Sequence, residues 1–267
     1  MLARHVSGGR PTKFIEEIMK LTVITIAYNS AKDIGRTIES VLAQEQGDNS
    51  CTIEYLIVDG ASSDDTVSVA ESYITAMKNR GIEYRISSEP DTGIYDAMNK
   101  GIDRATGDII GILNSGDWYE PTAAVTAANT FADTGCDLVY ANIRIHKIDG
   151  NTFVKKARQR RFQTSRDWNH PTTFVRAALY KQYPFRCLGI HDDYGFFLQM
   201  RRQGRHIVTV DKVLANFAMG GASNRKDLKA AKKRIMDRYR YCYRINGYSR
   251  LYILECVVIE AAKMLLG

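Results

Sequence analysis

The sequence predicts an α/β protein built on a Rossmann-like, mainly parallel sheet with helices on both faces. Short apolar, β-branched runs alternate with helical repeats of apolar residues through the stretch 21–113. This β-α-β-α-β-α-β order forms a parallel sheet when the crossover connections are right-handed. The chain has 267 residues, which is enough for one large domain or for one domain with an appendage.

The first half of the chain contains the predicted parallel strands. They are apolar runs that end at polar turns, at residues 21–27, 53–58, 83–87 and 108–113. Apolar residues recur between them at intervals of three and four, which indicates helices with one buried face at 34–42, 66–77 and 94–105.

The pattern becomes mixed after Pro121. The remaining predicted elements are, in order, a helix to about residue 133, hairpin strands at 137–145 and 152–156, a helix at 194–203, a strand at 207–213 and basic helices from residue 224 onward. No internal repeat or low-complexity tract interrupts this organisation.

Composition narrows the environment and the partners. The net charge of +7 favours an anionic partner, and nucleic acid, anionic lipid and nucleotide-sugar phosphate all meet that condition. The five cysteines are odd in number and have no Cys-x-x-Cys spacing, which disfavours a disulfide or zinc framework. The first eighteen residues lack the apolar region of a secretory signal peptide, and no apolar run is long enough to span a membrane. We therefore expect a cytoplasmic protein.

Two predicted strands end on carboxylates. The strand 53–58 runs into Asp59, and the strand 108–113 runs into the turn 114–117, which ends with Asp117. A charge at the end of a buried strand costs free energy unless a metal or hydrogen bonds compensate it. Ligands of open α/β sheets bind beyond the carboxyl ends of the strands. We therefore expect a polar, phosphorylated and metal-bound ligand at this edge.

Four segments, each at the end of a predicted strand, carry a resemblance to a known family. They are residues 25–30, 58–64, 89–101 and 114–117. Together they resemble the family 2 glycosyltransferases, which have a GT-A fold, and most closely the bacterial branch that includes colanic-acid and other exopolysaccharide transferases. The resemblance covers about residues 21–213. We therefore expect an N-terminal extension (1–20), a GT-A domain (21–223) and, from the basic helical pattern that follows, a C-terminal region (224–267).

The resemblance implies that a nucleotide-diphosphate sugar is the donor. It divides the GT-A domain into a nucleotide-sugar half (21–120) and an acceptor half (121–223). Ala27, Tyr28 and Asn29 would line the nucleoside pocket, and Asp59 would accept a hydrogen bond from a ring N–H of the base. The alternative for Asp59 is that it caps the turn that follows it.

The segment that opens the third predicted helix occupies the position at which members of the family enclose the donor sugar and diphosphate. The resemblance therefore implies that Asp91 and Gly93 lie beside the diphosphate, and that Asp96 and Asn99 contact sugar hydroxyls. The alternative is a plain turn and helix cap at Asp91-Thr92-Gly93.

The turn 114–117 occupies the place of the family's Asp-x-Asp metal motif. Asn114 and Gly116 stand where acids are frequent, which leaves Asp117 as the carboxylate that would bind Mn²⁺ or Mg²⁺. Asn114, Ser115 and Gly116 would line the donor site around the metal. These hard ions keep water and use substrate phosphates as ligands, so one carboxylate can suffice.

Inverting transfer also needs a base that removes the proton of the acceptor hydroxyl. The segment 191–197 resembles the family's base segment, which makes Asp193 the predicted base and its neighbour Asp192 the fallback. The alternative is that both acids complement the helix dipole. His170 matches a histidine-bearing segment of the same branch and is expected near the diphosphate or the acceptor, unless it is a core or surface residue.

The basic C-terminal region allows two interpretations. A basic amphipathic helix can lie on an anionic membrane, which would suit a lipid-linked acceptor, or it can pack on the catalytic domain or on another subunit. No recognised nucleic-acid-binding module accompanies the charge, so nucleic acid is not an expected partner.

The sequence thus predicts a metal-assisted, inverting glycosyltransferase of cell-surface polysaccharide synthesis. Its acceptor would be a saccharide or a lipid-linked saccharide, at the cytoplasmic face of the membrane. A sugar-phosphate nucleotidyltransferase is one alternative, although no Gly-rich phosphate loop follows the first strand. A non-catalytic protein that binds nucleotide sugars is the other, because the metal motif has a single acid.

Overall fold

A computed structural model describes residues 18–46, 51–219 and 228–266. Within these residues, nine strands join in one sheet: β1 (Met19–Ala27), β2 (Cys51–Asp59), β3 (Glu83–Ser88), β4 (Ile109–Ile112), β5 (Trp118–Tyr119), β6 (Leu138–His146), β7 (Thr152–Lys155), β8 (Phe174–Arg176) and β9 (Ile207–Ala218). Helices connect most of them: α1 (Ile34–Leu42), α2 (Thr66–Glu71), α3 (Ile74–Asn79), α4 (Ile94–Arg104), α5 (Ala123–Thr134), α6 (Ala177–Gln182) and α7 (Asp192–Arg202).

The sheet order is β3-β2-β1-β4-β8-β6-β9-β5, with β7 beside β6. The first four strands along the chain are parallel, as is the pair of β6 and β9. The shorter pairings of β8 with β4 and β6, of β7 with β6 and of β5 with β9 are antiparallel. Parallel pairing therefore dominates, as the β-α alternation predicts.

Each face of the sheet is covered by its own apolar core. Leu21 and Val23 of β1 pack on one side with residues of α1 and α5, whereas Ile24 and Ile26 pack on the other side with residues of α4 and α7. Successive side chains of a strand point to opposite faces, so continuous apolar runs such as β1 require a cover on both sides. This arrangement confirms the predicted α/β class with helices on both faces.

Several elements differ from their predicted bounds. The helix predicted at 66–77 is two short helices, α2 and α3, and the hydroxyl of Ser72 between them donates to the carbonyl of Val69 (2.6 Å). The strand predicted to end at 213 continues as β9 to Ala218, because its second half pairs with both β5 and β6. The short elements β5, β8 and α6 have too few residues to show a period in the sequence.

The C-terminal region is helical, as predicted. It consists of α8 (Leu228–Asp237), a π-helical segment (Arg238–Arg244) and α9 (Tyr252–Leu266). The amide of Asn246 donates to the carbonyl of Gly195 in α7 (2.9 Å), which joins this region to the catalytic domain. In the part of the chain that the structure describes, every helix is too short or too polar to cross a membrane.

Candidate active site

The topology brings the predicted site residues to one edge of the sheet. Ala27 and Asp59 are paired neighbours at the ends of parallel strands, and β4 ends at the same edge. β8 is antiparallel to β4, with Phe174 opposite Gly111, so the short 3-10 turn His170–Thr172 that precedes β8 also lies there. The carboxyl edge of the sheet is where α/β proteins bind their ligands.

Asp59 is fully buried and its carboxylate is already engaged. It accepts hydrogen bonds from the backbone N–H of Ser62 (2.9 Å), from the hydroxyl of Ser88 (2.6 Å) and from the hydroxyl of Ser62. The turn-capping alternative is therefore present in the structure. Asp59 fixes the loop after β2, and any contact with a nucleobase would be additional.

The loop after β1 is hydrogen-bonded to the loop after β2. Asn29 adopts a left-handed conformation (φ 49°), and its side-chain oxygen accepts from the N–H of Ser63 (2.9 Å). Ala27 is buried and its carbonyl accepts from the N–H of Gly60 (2.9 Å). These bonds hold the neighbouring ring of Tyr28 in an exposed position.

Gly60 lets an aromatic ring and a carboxylate approach each other. A Cβ atom at Gly60 would lie 2.5 Å from Oδ2 of Asp91 and 3.4 Å from the ring of Tyr28. An exposed aromatic face next to a carboxylate suits a planar, N–H-bearing ring. The sequence predicted Tyr28 and Asp91 at separate subsites, and the structure places them together.

The segment before α4 forms the turn at Asp91-Thr92-Gly93 that was predicted as the alternative to a ligand-binding segment. Oδ1 of Asp91 accepts from the N–H of Gly93 (2.8 Å), and Asp96 accepts from the N–H of Thr92 (2.9 Å). That N–H, together with Lys100, lowers the pKa of Asp96. Gly93 has φ 133°, a conformation that requires glycine.

Asn99, which is expected to contact sugar hydroxyls, is already hydrogen-bonded within the protein. Its amide nitrogen donates to the carbonyl of Phe185 (2.9 Å), and its amide oxygen accepts from the N–H of the same residue (2.9 Å). Both ends of the side chain thus hold the loop before α7 against α4. Sequence spacing placed Asn99 near the site but gave no indication of this partner.

Asp117 is a buried carboxyl group with little compensation. It is 5% exposed, and Oδ1 accepts one backbone hydrogen bond, from Ala218 (3.3 Å). Burial raises its pKa to about 7, although this hydrogen bond and the charge of Arg36 act in the opposite direction. In the described part of the chain, the side-chain oxygens of Asn114 and Ser115 are buried without hydrogen-bond partners.

These oxygens fit a divalent cation. A desolvated carboxyl, an amide oxygen and a hydroxyl are all hard ligands of the kind that Mg²⁺ and Mn²⁺ accept. Among the described residues, no three acidic, histidine or cysteine side chains converge as a metal site. A cation here would therefore depend on further oxygens from water and from the diphosphate of a substrate.

The turn 114–117 is held by α1, which the sequence did not indicate. The hydroxyl of Thr37 donates to the carbonyl of Asp117 (2.8 Å) and accepts from the N–H of Gly116 (2.9 Å). Arg36 donates to the carbonyl of Gly116 (2.5 Å) and stacks on Trp118 at 4.0 Å. The apolar period of α1 was visible, but these polar residues are about 80 positions from the turn that they hold.

Asp193 lies in a polar cluster at the start of α7. Its Oδ1 accepts from the hydroxyl of Tyr95 (2.9 Å) and from the backbone N–H of Tyr194 (2.8 Å), while Oδ2 lies 3.5 Å from Nδ1 of His170. The side chain is 20% exposed, so a ligand can reach it. The sequence did not identify Tyr95 as a site residue, because this side chain lies among the apolar residues on the buried face of α4.

Asp192 differs from its neighbour. Its Oδ2 accepts from the N–H of Leu188 (2.8 Å), which stabilises the loop before α7. Burial raises its pKa, and the nearby charge of Asp193 adds to this effect. The structure thus distinguishes a loop-holding acid from one that faces His170 and Tyr95.

His170 is a neutral, largely buried partner of Asp193. Burial lowers its pKa, although Asp193 acts in the opposite direction. Within the described residues, its Nε2 and the Nε1 of Trp168 have no hydrogen-bond partner. Trp168 is buried and stacks on Phe197, so it supports His170 from the core.

Comparison with known proteins identifies the family. The model of "Glycosyl transferase family 2" matches residues 22–203, which is well over half of the chain. The chain belongs to glycosyl transferase family 2. A relative of this family 2 chain is an uncharacterized glycosyltransferase of Mycobacterium tuberculosis, 39% identical over 108 residues, which are 40% of this chain and 38% of that protein. The chain spans less than half the length of the curated relatives it matches.

Two solved structures share the fold. TarS 1-349 of S. aureus in complex with UDP-GlcNAc has a TM-score of 0.58 and 18% identity, covering 92% of this chain and 72% of that one. The mannosyltransferase PcManGT of Pyrobaculum calidifontis, in complex with GDP-Man and Mn²⁺, has a TM-score of 0.59 and 16% identity, covering 94% and 71%. The family match and these structures confirm the predicted GT-A fold.

Proposed function

We propose that this family 2 protein is an inverting glycosyltransferase that moves a sugar from a nucleotide-diphosphate sugar to a saccharide or lipid-linked acceptor. The observation that carries the proposal is the cluster of Asp193, Tyr95 and His170 at the same sheet edge as the buried Asp117. Such a transfer requires two acidic groups. One is a fixed but accessible carboxylate that acts as the base, as Asp193 would, and the other is a carboxylate that holds a cation, as Asp117 would.

Asp193 is the proposed base. Its Oδ1 already accepts two hydrogen bonds, so Oδ2 is the oxygen that would take the proton of the acceptor hydroxyl. As that proton leaves, the acceptor oxygen would attack the anomeric carbon from the side opposite the nucleoside diphosphate. The bond to the diphosphate breaks with its electron pair, and the configuration at the anomeric carbon inverts. Neutral His170 would hold Oδ2 without protonating it.

Asp117, with Asn114 and Ser115, would hold Mn²⁺ or Mg²⁺ together with the donor diphosphate, beside the backbone of Gly116. When bound, the metal would neutralise the charge that develops on the departing diphosphate. The buried, unpartnered oxygens of Asn114 and Ser115 support this assignment. The neighbour PcManGT, which was solved with GDP-Man and Mn²⁺, also supports it.

The donor half of the site would consist of the loops after β1, β2 and β3. The ring of Tyr28 and the carboxylate of Asp91 would contact the base, while Ala27, Asn29 and Asp59 shape the pocket from behind. Gly93 and Asp96 would lie toward the diphosphate and the sugar. The complexes of the two neighbours with UDP-GlcNAc and GDP-Man support a nucleotide-sugar donor but leave the base open.

The setting of the reaction is part of the proposal. The four segments at the strand ends resemble those of the colanic-acid and exopolysaccharide branch, so we propose a role in cell-surface polysaccharide synthesis at the cytoplasmic face of the membrane. The net charge of +7 supports an anionic donor and an anionic surface nearby.

Ligand-dependent melting tests the donor. UDP, GDP, dTDP and their sugars are added with and without Mn²⁺, and the correct nucleotide should raise the melting temperature by mass action. The rise should be larger when Mn²⁺ is present. If all three nucleotide families leave the melting temperature unchanged, the donor assignment is wrong.

Substitution of the base tests the chemistry. Asp193→Asn should reduce donor hydrolysis and transfer by about 10²-fold or more while nucleotide binding remains intact. Asp192→Asn should retain more activity, and Asp133→Asn, at an exposed position of α5, is the matched control. Full activity in Asp193→Asn would refute the assigned base, and undetectable turnover in the wild type with intact binding would indicate a nucleotide-sugar-binding protein.

A further inference from the structure

The last helix, together with the turn residue directly before it, carries a row of exposed apolar side chains. Leu251, Leu254, Val257 and Val258, here called the α9 stripe, are 72%, 62%, 45% and 66% exposed. Positions three and four apart share one face of a helix, so these side chains form a continuous strip. The opposite face of α9, with Cys256, Ile259 and Glu260, is buried.

The segment around the α9 stripe is strongly basic. Residues 228–267 contain nine lysines and arginines against three acids, so they account for most of the net charge of +7. The structure places several of these cations in exposed positions, namely Lys232, Arg240, Arg244 and Arg250. An exposed apolar strip among cations is the pattern of a helix that lies in the interface of an anionic bilayer.

Polar contacts connect α9, which carries most of the stripe, to the start of α7, where the proposed base lies. Nε of Arg234 donates to the carboxylate of Glu260 in the buried interior of this region (2.7 Å), and Arg238 contacts the same carboxylate (3.4 Å). Arg238 also lies 3.2 Å from the ring of His191, directly before Asp192 and Asp193. A surface that docks through α9 would therefore have a fixed position relative to the proposed base.

We propose that the α9 stripe is a docking surface for an anionic lipid bilayer. A second copy of the chain is a poorer occupant, because pairing two such segments would bring like charges together, whereas anionic headgroups neutralise them. The link to catalysis, delivery of a lipid-linked acceptor from the docked membrane, rests on the proposed function. The docking itself does not.

Vesicle sedimentation of the full chain tests the docking. The protein should bind vesicles that contain phosphatidylglycerol, bind pure phosphatidylcholine far less, and lose binding as salt is added. The double variant Leu254→Asp with Val258→Asp should bind the anionic vesicles at least about ten-fold more weakly. Ile148→Asp is the matched control, because Ile148 is also apolar and exposed (84%) but lies in the turn between β6 and β7.

The outcomes separate docking from catalysis. Circular dichroism should show that the double variant is folded, and its donor hydrolysis should match the wild type, whereas Asp193→Asn should lose hydrolysis and keep vesicle binding. Wild-type protein that ignores anionic vesicles, or a double variant that binds them as tightly as the control, would overturn the proposal. A wild-type dimer that the same double variant splits, measured by analytical ultracentrifugation, would instead identify the stripe as a subunit interface and also overturn it.

Discussion

The carboxyl group of Asp117 lies in an environment that favours its protonated form. Its pKa is raised to about 7 by burial, and its side chain accepts a single backbone hydrogen bond. A cation removes this conflict, because it supplies positive charge directly at the carboxylate, where the charge of Arg36 offsets the effect of burial only in part. The raised pKa of Asp117 and its capacity to bind a metal therefore have the same cause.

Replacing Asp117 by Asn should stabilise the metal-free protein at neutral pH. A raised folded-state pKa means that the folded wild type retains the proton longer than the unfolded chain, so its stability falls as pH rises from about 4 to about 7. Asp117→Asn should therefore have a larger free energy of unfolding at about pH 8, by roughly 2–4 kcal/mol, and little advantage at about pH 4. Urea unfolding in EDTA at both pH values measures this.

The same variant should lose its response to metal. Mn²⁺ with the correct nucleoside diphosphate should raise the melting temperature of the wild type more than that of Asp117→Asn. Because protons and metal compete for the carboxylate, added Mn²⁺ should also extend wild-type activity to lower pH. A variant that is less stable at both pH values would contradict the assigned burial cost.

Tyr95 is the residue that the structure adds to the site. Burial raises the pKa of Tyr95 well above the usual range, and the charge of Asp193 raises it further. The hydroxyl therefore keeps its proton and donates a hydrogen bond to Oδ1 of Asp193. Hydrogen bonds to charged groups contribute about 1.5–3 kcal/mol each. Loss of the hydrogen bond from Tyr95 to Asp193 should therefore lower the rate of transfer.

Tyr95→Phe should lower transfer by about ten-fold or more without weakening nucleotide binding. Steady-state transfer rates and ligand-dependent melting separate the two effects. Tyr84→Phe is the matched control, because its hydroxyl donates to the carbonyl of Ala70 (3.0 Å), away from the cluster. Equal losses in both variants would show that the Tyr95 hydroxyl acts on folding rather than on the base.

At the scale of elements, the close contact of α4 with the sheet sets the position of the site. A Cβ atom at Gly101 of α4 would lie 2.5 Å from Cγ2 of Ile24 and 3.3 Å from Cγ2 of Val58. The helix that carries Tyr95, Asp96 and Asn99 can therefore approach β1 and β2 only because residue 101 has no side chain.

Gly101→Ala should destabilise the protein by about 1–3 kcal/mol, although alanine is the better helix former. The added methyl group must displace Ile24 or move α4. Gly189→Ala is the control, because the nearest atoms to its Cβ would be 3.6 Å away, an ordinary contact. Thermal and urea unfolding of both variants provide the comparison, and equal stabilities would contradict the inferred overlap.

At the scale of the whole molecule, two buried acids at opposite edges of the sheet, Glu54 and Asp117, have opposite electrostatic states. Glu54, in the first half of β2, is fully buried and accepts hydrogen bonds from Thr22 (2.5 Å) and Thr106 (2.7 and 2.8 Å) and an ion pair from Arg85. Burial alone would raise its pKa, but these partners together lower it. At the carboxyl edge, Asp117 has no comparable set of partners among the described residues.

Glu54→Gln should therefore destabilise the folded protein, in contrast to Asp117→Asn. Removing the charge weakens the hydrogen bonds that Thr22 and Thr106 donate to the buried carboxylate, which should cost about 1–3 kcal/mol at neutral pH, whereas the half-exposed Arg85 can turn to solvent. A lowered folded-state pKa gives stability that is present above the unfolded value of 4.5 and is lost as pH falls through the folded value. The gap between wild type and variant should thus narrow in acid, as urea unfolding at several pH values would show.

The same variant should leave catalysis largely unchanged in the protein that remains folded. Glu54 lies in the amino-terminal half of its strand, away from the carboxyl edge that holds the site. Transfer measured below the melting temperature should approach the wild-type rate. A large loss of activity without a loss of stability would contradict this separation of the two edges.

The sequence by itself determined the elements and the edge at which function is expected. Local periodicity defines strands and helices, and the acids that end buried runs, such as Asp59 and Asp117, are visible without any knowledge of the fold. The resemblance also identified His170 and Asp193 separately. Neither source indicated that these two side chains lie 3.5 Å apart.

The tertiary structure decided which of these polar groups are already engaged and which are still available. Asn99 is engaged by Phe185 and Asp192 by the loop before α7, whereas Asp193 faces His170 and Asp117 is short of partners. Hydrophobic periodicity is a property of neighbours in the chain, so the sequence shows it directly. Hydrogen-bond partners are set by strand order and helix packing over distances of up to about 100 residues in the chain, so only the folded chain defines them.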